Sequence, residues 1–329
     1  MLNGFLTAPR AILCGLLGLL AWTTAAHAET DLTLAHNAPI GGPQDIGAQA
    51  FVAEIERLMP HHFSIDVRGG ITVGNDLDIF HETKLGAVDI AIVSPLAFTS
   101  EVPAMGVLDL PFLFRDPTHA AHVLDGPVGD ELGQTLTDQG LVHLAFGELG
   151  IRQLSNNKRA VRVPGDVAGL KLRVAASENY VLSFKTLGAE VSSMGIGEVY
   201  NGLREGRIDG QENPLLVIQA NHFDDVQKFV SLTGHVYSAL AYFANAHSFA
   251  QLTPAEQAAV RQAARVSAEA TRATSAASIR KATEELRAKG VDVTETVDRE
   301  AFIKALQPIQ PDFERRFGAE LISRIRATP

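Results

Sequence analysis

Cysteine and tryptophan are almost missing from this 329-residue chain, which holds one of each, Cys14 and Trp22, both near its start. Beyond residue 28 there is no thiol to act as nucleophile, metal ligand or disulfide partner. The sequence also has no Gly-x-Ser-x-Gly elbow, no His-Glu-x-x-His, no Gly-x-x-x-x-Gly-Lys and no Gly-x-Gly-x-x-Gly after a strand. An enzyme, and a cofactor-dependent one above all, is therefore not expected. There is no basic run either, and the formal charge of −10 argues against nucleic acid or an anionic membrane surface as partner. The longest apolar run, Ala11 to Trp22, is about a dozen residues, short of the ~20 that a membrane helix needs.

That run reads instead as an export signal. Arg10 precedes it and Ala26-His27-Ala28 supplies the small-x-small pattern of a cleavage site, so residues 1–28 are expected to be removed and the remainder to work in the periplasm. Leu13 ahead of Cys14 is not the small residue that a lipid anchor requires. No Arg-Arg pair precedes the run, which points to export of the unfolded chain without a preloaded cofactor. Cleavage removes one cation, Arg10, and shifts the formal charge from −10 to −11. An anionic ligand would then be repelled by the protein as a whole and needs local arginines or backbone N–H groups to hold it.

Strand-like runs alternate with segments of helical period. Leu32–Ala35, Ser64–Arg68 and Asp89–Val93 read as strands, and Gln44–Met59 and Leu77–Leu85 between them as helices. A second set comprises Leu141–Phe146, Leu170–Val174, helices near Asn179–Leu187 and Glu198–Arg204, and a strand beginning near Ile208. Lys84-Leu-Gly-Ala-Val-Asp89 and Arg204-Glu-Gly-Arg-Ile-Asp209 both read as a helix stopped by glycine and followed by an aspartate-led strand. This is the pattern of an α/β protein with two similar lobes. After a further strand, Val236–Ala244, Thr253-Pro254-Ala-Glu256 caps a helical run to about Lys289. Unbroken, its roughly 36 residues would span about 54 Å and cross both lobes; a break around Thr271–Ser278 is the alternative. Phe302–Phe317 reads as a closing amphipathic helix.

Among polar clusters, His61-His62 reads as a solvated turn, and His119 with His122, one helical turn apart, as a polar helix face; no metal site is expected. Lys171 and Arg173 share the strand face opposite Leu172, where a guanidinium could hold a carboxylate through two parallel hydrogen bonds. A surface ion pair reads as well from those residues alone. Asp209-Gly-Gln-Glu-Asn-Pro214 reads as a polar loop at a strand end, the usual place for ligands in α/β proteins.

The ordered motifs Gly86-Ala-Val-Asp89, Gly106-Val-Leu-Asp-Leu-Pro-Phe-Leu-Phe114, Arg152-Gln-Leu-Ser-Asn156, Gly169-Leu-Lys-Leu-Arg-Val174, Glu198-Val-Tyr200, Asp209-Gly-Gln-Glu-Asn-Pro214, Val226-Gln-Lys-Phe229 and Thr233-Gly-His235 resemble the DctP family. These are the extracytoplasmic solute receptors of tripartite ATP-independent periplasmic (TRAP) transporters. The resemblance implies a two-lobed clamshell of the periplasmic binding protein type with a long helix crossing both lobes. Lobe I would hold 29–149 plus about 238–277, and lobe II 150–237 plus about 278–329. It implies capture of a small organic carboxylate (a sugar acid, dicarboxylate or hydroxy acid) for TRAP membrane subunits, by a monomer; a sensory module for the same solutes is the alternative. It places the carboxylate-binding arginine on Arg173, a second ligand-facing arginine on Arg152 and an asparagine of the grip on Asn213. Asn37, Asp76, Ser94 and Ile196 would line the remainder, with Glu178, Asn179 and Tyr237 shaping the distal part. Two departures stand out: Ile196 where many relatives carry an aromatic residue, and Gly70-Ile-Thr-Val-Gly74 in place of Pro-x-Gly-x-Leu-Gly. The tryptophan-glutamate pair of the metal-assisted keto-acid branch is absent, which disfavours that chemistry here.

Overall fold

A computed structural model describes Met1 and residues 29–329; the expected export segment, 1–28, lies otherwise outside them. Among the described residues the strands are β1 (Thr30–Ala35), β2 (Phe63–Arg68), β3 (Ile90–Val93), β4 (Leu141–Asn156), β5 (Lys171–Val174), β6 (Glu190–Ser193), β7 (Gly210–Pro214), β8 (Phe229–Asn245) and β9 (Asp292–Thr294). They form one sheet in the order β2-β1-β3-β8-β4-β7-β5-β6, with β9 beside β8.

Read inward from either edge, the order is the same. β2-β1-β3 are parallel and meet β8 antiparallel, and β6-β5-β7 are parallel and meet β4 antiparallel. The duplication extends to the turns. Gly86 and Gly206 end their helices with φ of 77° and 70°, left-handed angles that glycine adopts without a Cβ clash. The next aspartates then each accept a backbone N–H from the neighbouring strand, Asp89 from Thr33 at 2.8 Å and Asp209 from Lys171 at 3.0 Å.

β4 and β8 bind the halves together. At 16 and 17 residues, each spans about 55 Å, and both are longer than their apolar runs, Leu141–Phe146 and Val236–Ala244, suggest. Register shifts between His143/Ala145, Glu148/Gly150 and Arg152/Leu154 bend the pair as it passes from one half to the other.

The long helix, Pro254–Ala288, is unbroken over 35 residues, about 52 Å, and runs the length of these strands. Thr253 and Glu256 exchange reciprocal capping bonds, and Pro254 occupies the first turn. Thr271 and Ser275, the point of the suspected break, are buried and satisfied: Thr271 Oγ1 donates to Ala268 O at 2.7 Å and Ser275 Oγ to Glu148. A lateral contact with helix Pro43–Leu58 is close because Gly47 has no side chain; a Cβ there would meet Thr271 Cγ2 of the long helix at 3.1 Å and Tyr242 Oη of β8 at 2.5 Å.

Three expectations are corrected. Asp209–Pro214 is not a loop, because Gly210–Pro214 is β7, hydrogen-bonded on both sides and buried throughout. The closing helix is three, Arg299–Ala305, Gln310–Phe317 and Ala319–Ala327. Pro308 and Pro311 cannot donate within a continuing helix, and Gly318 turns the chain at φ 84°. These helices pack on residues of the first half, with Arg115 Nη1 donating to Arg326 O and Arg324 meeting Glu131. They also pack on the second, where Arg316 meets Glu178 and Asn179. His119 belongs to the same contact: it is buried, and its Nε2 lies 2.9 Å from Ile325 O. It is a tether rather than part of an exposed polar face.

Candidate ligand-binding site

The carboxyl ends of β1 and β3 face those of β5 and β7 across a cleft of about 400 Å³, at the points where strand order reverses in each half. Arg173, Arg152, Asn213, Asn37, Asp76, Ser94 and Ile196 all line it, though they are scattered over 177 positions (213 − 37 + 1) of the chain.

Arg173 is 4% exposed and makes no ion pair among the described residues. Its Nε and Nη2 both donate to Met194 O, at 3.0 and 2.8 Å, which fixes the guanidinium plane and leaves Nη1 with no hydrogen bond among the described residues. Burial pushes its pKa down to about 10, so it stays charged at neutral pH. The Glu212 charge offsets this in part and the like charge of Arg152 adds to it; a buried guanidinium with no directly paired carboxylate is costly, and an incoming anion would relieve that cost. Lys171, the other residue on this strand face, is exposed and does not enter the cleft.

Arg152 lines the same cleft in a different state. It is fully buried and paired with Glu212: Nε meets Oε2, and Nη2 lies 2.9 Å from Oε1 and 2.7 Å from the backbone O. Nη2 also donates to Asn213 Oδ1 at 3.0 Å, and the guanidinium sits 5.2 Å from the Tyr180 ring. His235 Nε2 lies 3.2 Å from Glu212 and its Nδ1 2.7 Å from Thr233 Oγ1. Burial alone would raise the Glu212 carboxyl, but Arg152 and His235 together hold it down to about 2. Arg152 is thus already neutralised, and only its Nη1 side, 3.5 Å from Ser238 Oγ, is loosely held.

Asn213 Nδ2 donates to Gln211 Oε1 at 2.6 Å, Gln211 to Ser155, and Ser155 to Gln227. This buried chain fixes which way the Asn213 amide points and leaves it one N–H.

The facing wall is acidic. Asp76 opens helix Asp76–Leu85, just after the cap Asn75, and its Oδ2 accepts from Ser94 N at 3.3 Å. The residue is partly exposed, yet Oδ1 is buried without a partner. Burial pushes the carboxyl up to about 7 against the lowering effect of the Ser94 N–H. Asn37 Oδ1 accepts from Gln44 at 3.3 Å. Ile196, first in helix Ile196–Arg204, is the counterpart of Asp76 in the other half and closes the cleft with apolar surface.

A family model for bacterial extracellular solute-binding proteins, family 7 (DctP), matches residues 34–316. The chain belongs to this family. It is similar to the 2,3-diketo-L-gulonate-binding periplasmic protein YiaO of Escherichia coli, 34% identical over 289 residues, 88% of each chain. A TRAP periplasmic solute-binding protein of Polaromonas bound to D-erythronate superposes with a TM-score of 0.88 at 33% identity, covering 91% of this chain and 99% of that one. One from Sulfurospirillum deleyianum with bound succinate superposes at 0.85 and 29% identity, covering 92% and 100%. The two-lobed receptor fold of these solute-binding proteins is the fold described above.

In this family 7 protein, Tyr237 is not a cleft residue. Successive residues of β8 point to opposite faces, so Ser238 faces Arg152 while Tyr237 is buried on the other side against the Phe114 ring, 5.3 Å away. Glu178 and Asn179 are also outside: Asn179 donates to Gly106 O, and both meet Arg316. Glu212, His235 and the Met194 carbonyl were missed by sequence reasoning. Glu212 and His235 lay inside the motifs Asp209–Pro214 and Thr233–His235; the carbonyl has no sequence signal.

Proposed function

We infer that this protein is the solute receptor of a TRAP transporter, exported by removal of residues 1–28. In the periplasm it captures a small hydroxylated organic acid and hands it, as a monomer, to the membrane subunits. The observation that carries this is Arg173, charged, buried and without a counter-ion at one end of a small cleft. The ligand carboxylate pairs with Arg173, and the free amide N–H of Asn213 and Nη1 of Arg152 complete the grip. Lobe I (29–149 plus about 238–277) and lobe II (150–237 plus about 278–329, whose last helices bridge both) close over it. Closure removes water and strengthens each charge-assisted bond.

The opposite wall narrows the class. Asp76 Oδ1 lacks a partner, and a ligand hydroxyl can donate to it or, where the carboxyl holds its proton, accept from it; a second carboxylate would be opposed by the ionised fraction of a group whose pKa burial pushes up to about 7. Hydroxylated monocarboxylates such as D-erythronate, the ligand of the Polaromonas relative, are therefore favoured over succinate.

A thermal-shift screen against organic acids, followed by calorimetry, tests this. The mature chain has no tryptophan to report binding by fluorescence. A micromolar ligand corresponds to about −8 kcal/mol. Arg173→Lys keeps the charge but loses the planar fork and is expected to weaken binding by about 100-fold. Unchanged affinity in that variant, or a screen in which no carboxylate stabilises the protein, overturns the reading.

A further inference from the structure

A second concavity, of about 860 Å³, lies away from the ligand cleft between the long helix and helix Pro127–Gln134, with residues 141–146 of β4 as its floor. Arg261 and Arg265, one turn apart on the long helix, both line it, and neither forms an ion pair among the described residues. Arg261 Nη1 donates to His143 O at 3.0 Å, with its guanidinium 4.8 Å from the Phe249 ring; Arg265 Nη2 donates to Gln262 at 2.7 Å. Arg272 differs: Asp125 holds it through two bonds of 2.6 and 2.7 Å, although its Nε is buried without a partner.

The floor contributes His143, whose Nε2 is buried with no hydrogen-bond partner. Burial pushes the ring down to about 4, so it is neutral at physiological pH and presents one unmet hydrogen bond. The other charges facing the groove are acidic: Asp130 on the short helix and Glu269 on the long one, both exposed and neither in an ion pair. The groove therefore has two arginines in no ion pair among the described residues, with Glu269 one turn beyond them on the same helix, Asp130 on the facing helix, and an unsatisfied ring nitrogen on its floor.

We propose that this groove is a second binding site, for a small monocarboxylate that carries hydroxyl or amino donors at its other end. The carboxylate lies across Arg261 and Arg265, as anions do on paired guanidinium groups. Donors at the other end meet Asp130 on the facing helix, and Glu269, one turn beyond Arg265, flanks the pair; both repel a second carboxylate. A hydroxyl or amine in the middle satisfies His143.

The test uses the full protein carrying Arg173→Ala, so that the ligand cleft does not contribute. The His143 imidazole resonance, assigned through His143→Gln, is followed by NMR during titration with D-erythronate, L-serine or succinate. Erythronate or serine is expected to shift that resonance saturably, the stronger of the two naming the donor type, with succinate weaker by at least about tenfold. Arg261→Gln with Arg265→Gln, at the rim of the fold, is expected to lower that affinity at least about tenfold. Should this double variant unfold, Asp130→Asn serves instead and is expected to bring succinate closer to erythronate. The proposal is overturned if none of the three compounds moves His143, or if the shift survives unchanged in the folded double variant. Because Arg173 is already replaced, either failure leaves the reading of the cleft standing.

Discussion

In the first half of the sheet β1 pairs Ala35 with Ala91 of β3, and in the second half β5 pairs Arg173 with Gln211 of β7, at the equivalent register. The helix that follows each edge strand opens with Asp76 in one half and Ile196 in the other. One backbone plan, repeated, thus carries a core alanine and a cleft-lining acid in one half, and a cleft-lining cation and apolar residue in the other. The scaffold positions four places, and the choice of side chain at each makes the cleft polar along one axis. A ligand with a carboxylate at one end and hydroxyls at the other fits that axis in one orientation.

A second contrast lies between the arginines. Both are buried, but Arg152 has Glu212 and Arg173 has only carbonyl contacts. The largest expected effect separates them. Arg152→Met leaves Glu212 ionised in the interior without its partner and should destabilise the ligand-free protein by about 3–5 kcal/mol. That is a fall of roughly 10 °C in melting temperature. Arg173→Met removes a buried cation that has no direct ion pair, and relief of its burial and of its repulsion with Arg152 outweighs the lost attraction to Glu212, so the ligand-free melting temperature should stay level or rise while binding is lost. Equal falls in the two variants would dissolve the distinction between a structural and a ligand-facing arginine.

The acidic half is sharpened by pH. The Asp76 carboxyl keeps its proton in the folded state to about 7, whereas its ordinary value is 3.8. Between those values the unfolded chain has released the proton and the folded one has not, so this group makes stability fall as pH rises from about 4 to 7. Asp109, fully buried beside Tyr180 and likewise pushed up to about 7, acts in the same direction. In Asp76→Asn the gain in melting temperature over the parent should be near zero at pH 4 and grow until about pH 7. A difference that does not vary with pH would show that Asp76 is not burdened by burial.

The smallest effect tests the duplication itself. Gly86→Ala and Gly206→Ala place a Cβ at the same left-handed turn, with no atom nearer than 3.6 Å in the first and none within 4 Å in the second. Each should cost about 1 kcal/mol by backbone strain alone, measured by urea unfolding. Unequal costs would mean that the two turns are not equivalent.

Local patterning made much of this legible. The helix stops at Gly86 and Gly206, the Thr253–Glu256 cap and the β-α-β rhythm all depend on residues close together in the chain. The errors fall where distant partners override the local signal. Gly210–Pro214 is too polar to read as a central strand; β4 and β5 make it one by satisfying its backbone on both sides, while Arg152, Ser155 and Gln227 satisfy the side-chain chain that starts at Glu212 and Asn213. The same holds for β4, where Gly147, Gly150 and Arg152 interrupt the apolar run that a shorter strand was read from. At Gly150 the backbone adopts φ 130°, and a Cβ would lie 2.7 Å from Pro214, so the irregularity in sequence is what permits the bend. The broken C-terminal helix was legible, since Pro308 and Pro311 stand in the open.

The sequence by itself determined the family, the repeated plan and the residue types that face the cleft, because the motifs that specify them are short and ordered along the chain. Which of two buried arginines is free to take a ligand was decided only by the tertiary structure. That outcome depends on where a third residue, Glu212, comes to rest, and a strand pairing across 60 positions brings it into direct contact with Arg152, while Arg173 feels its charge only without contact. Electrostatic compensation acts through space at a few ångströms, and nothing in the local pattern around either arginine records which one will receive it.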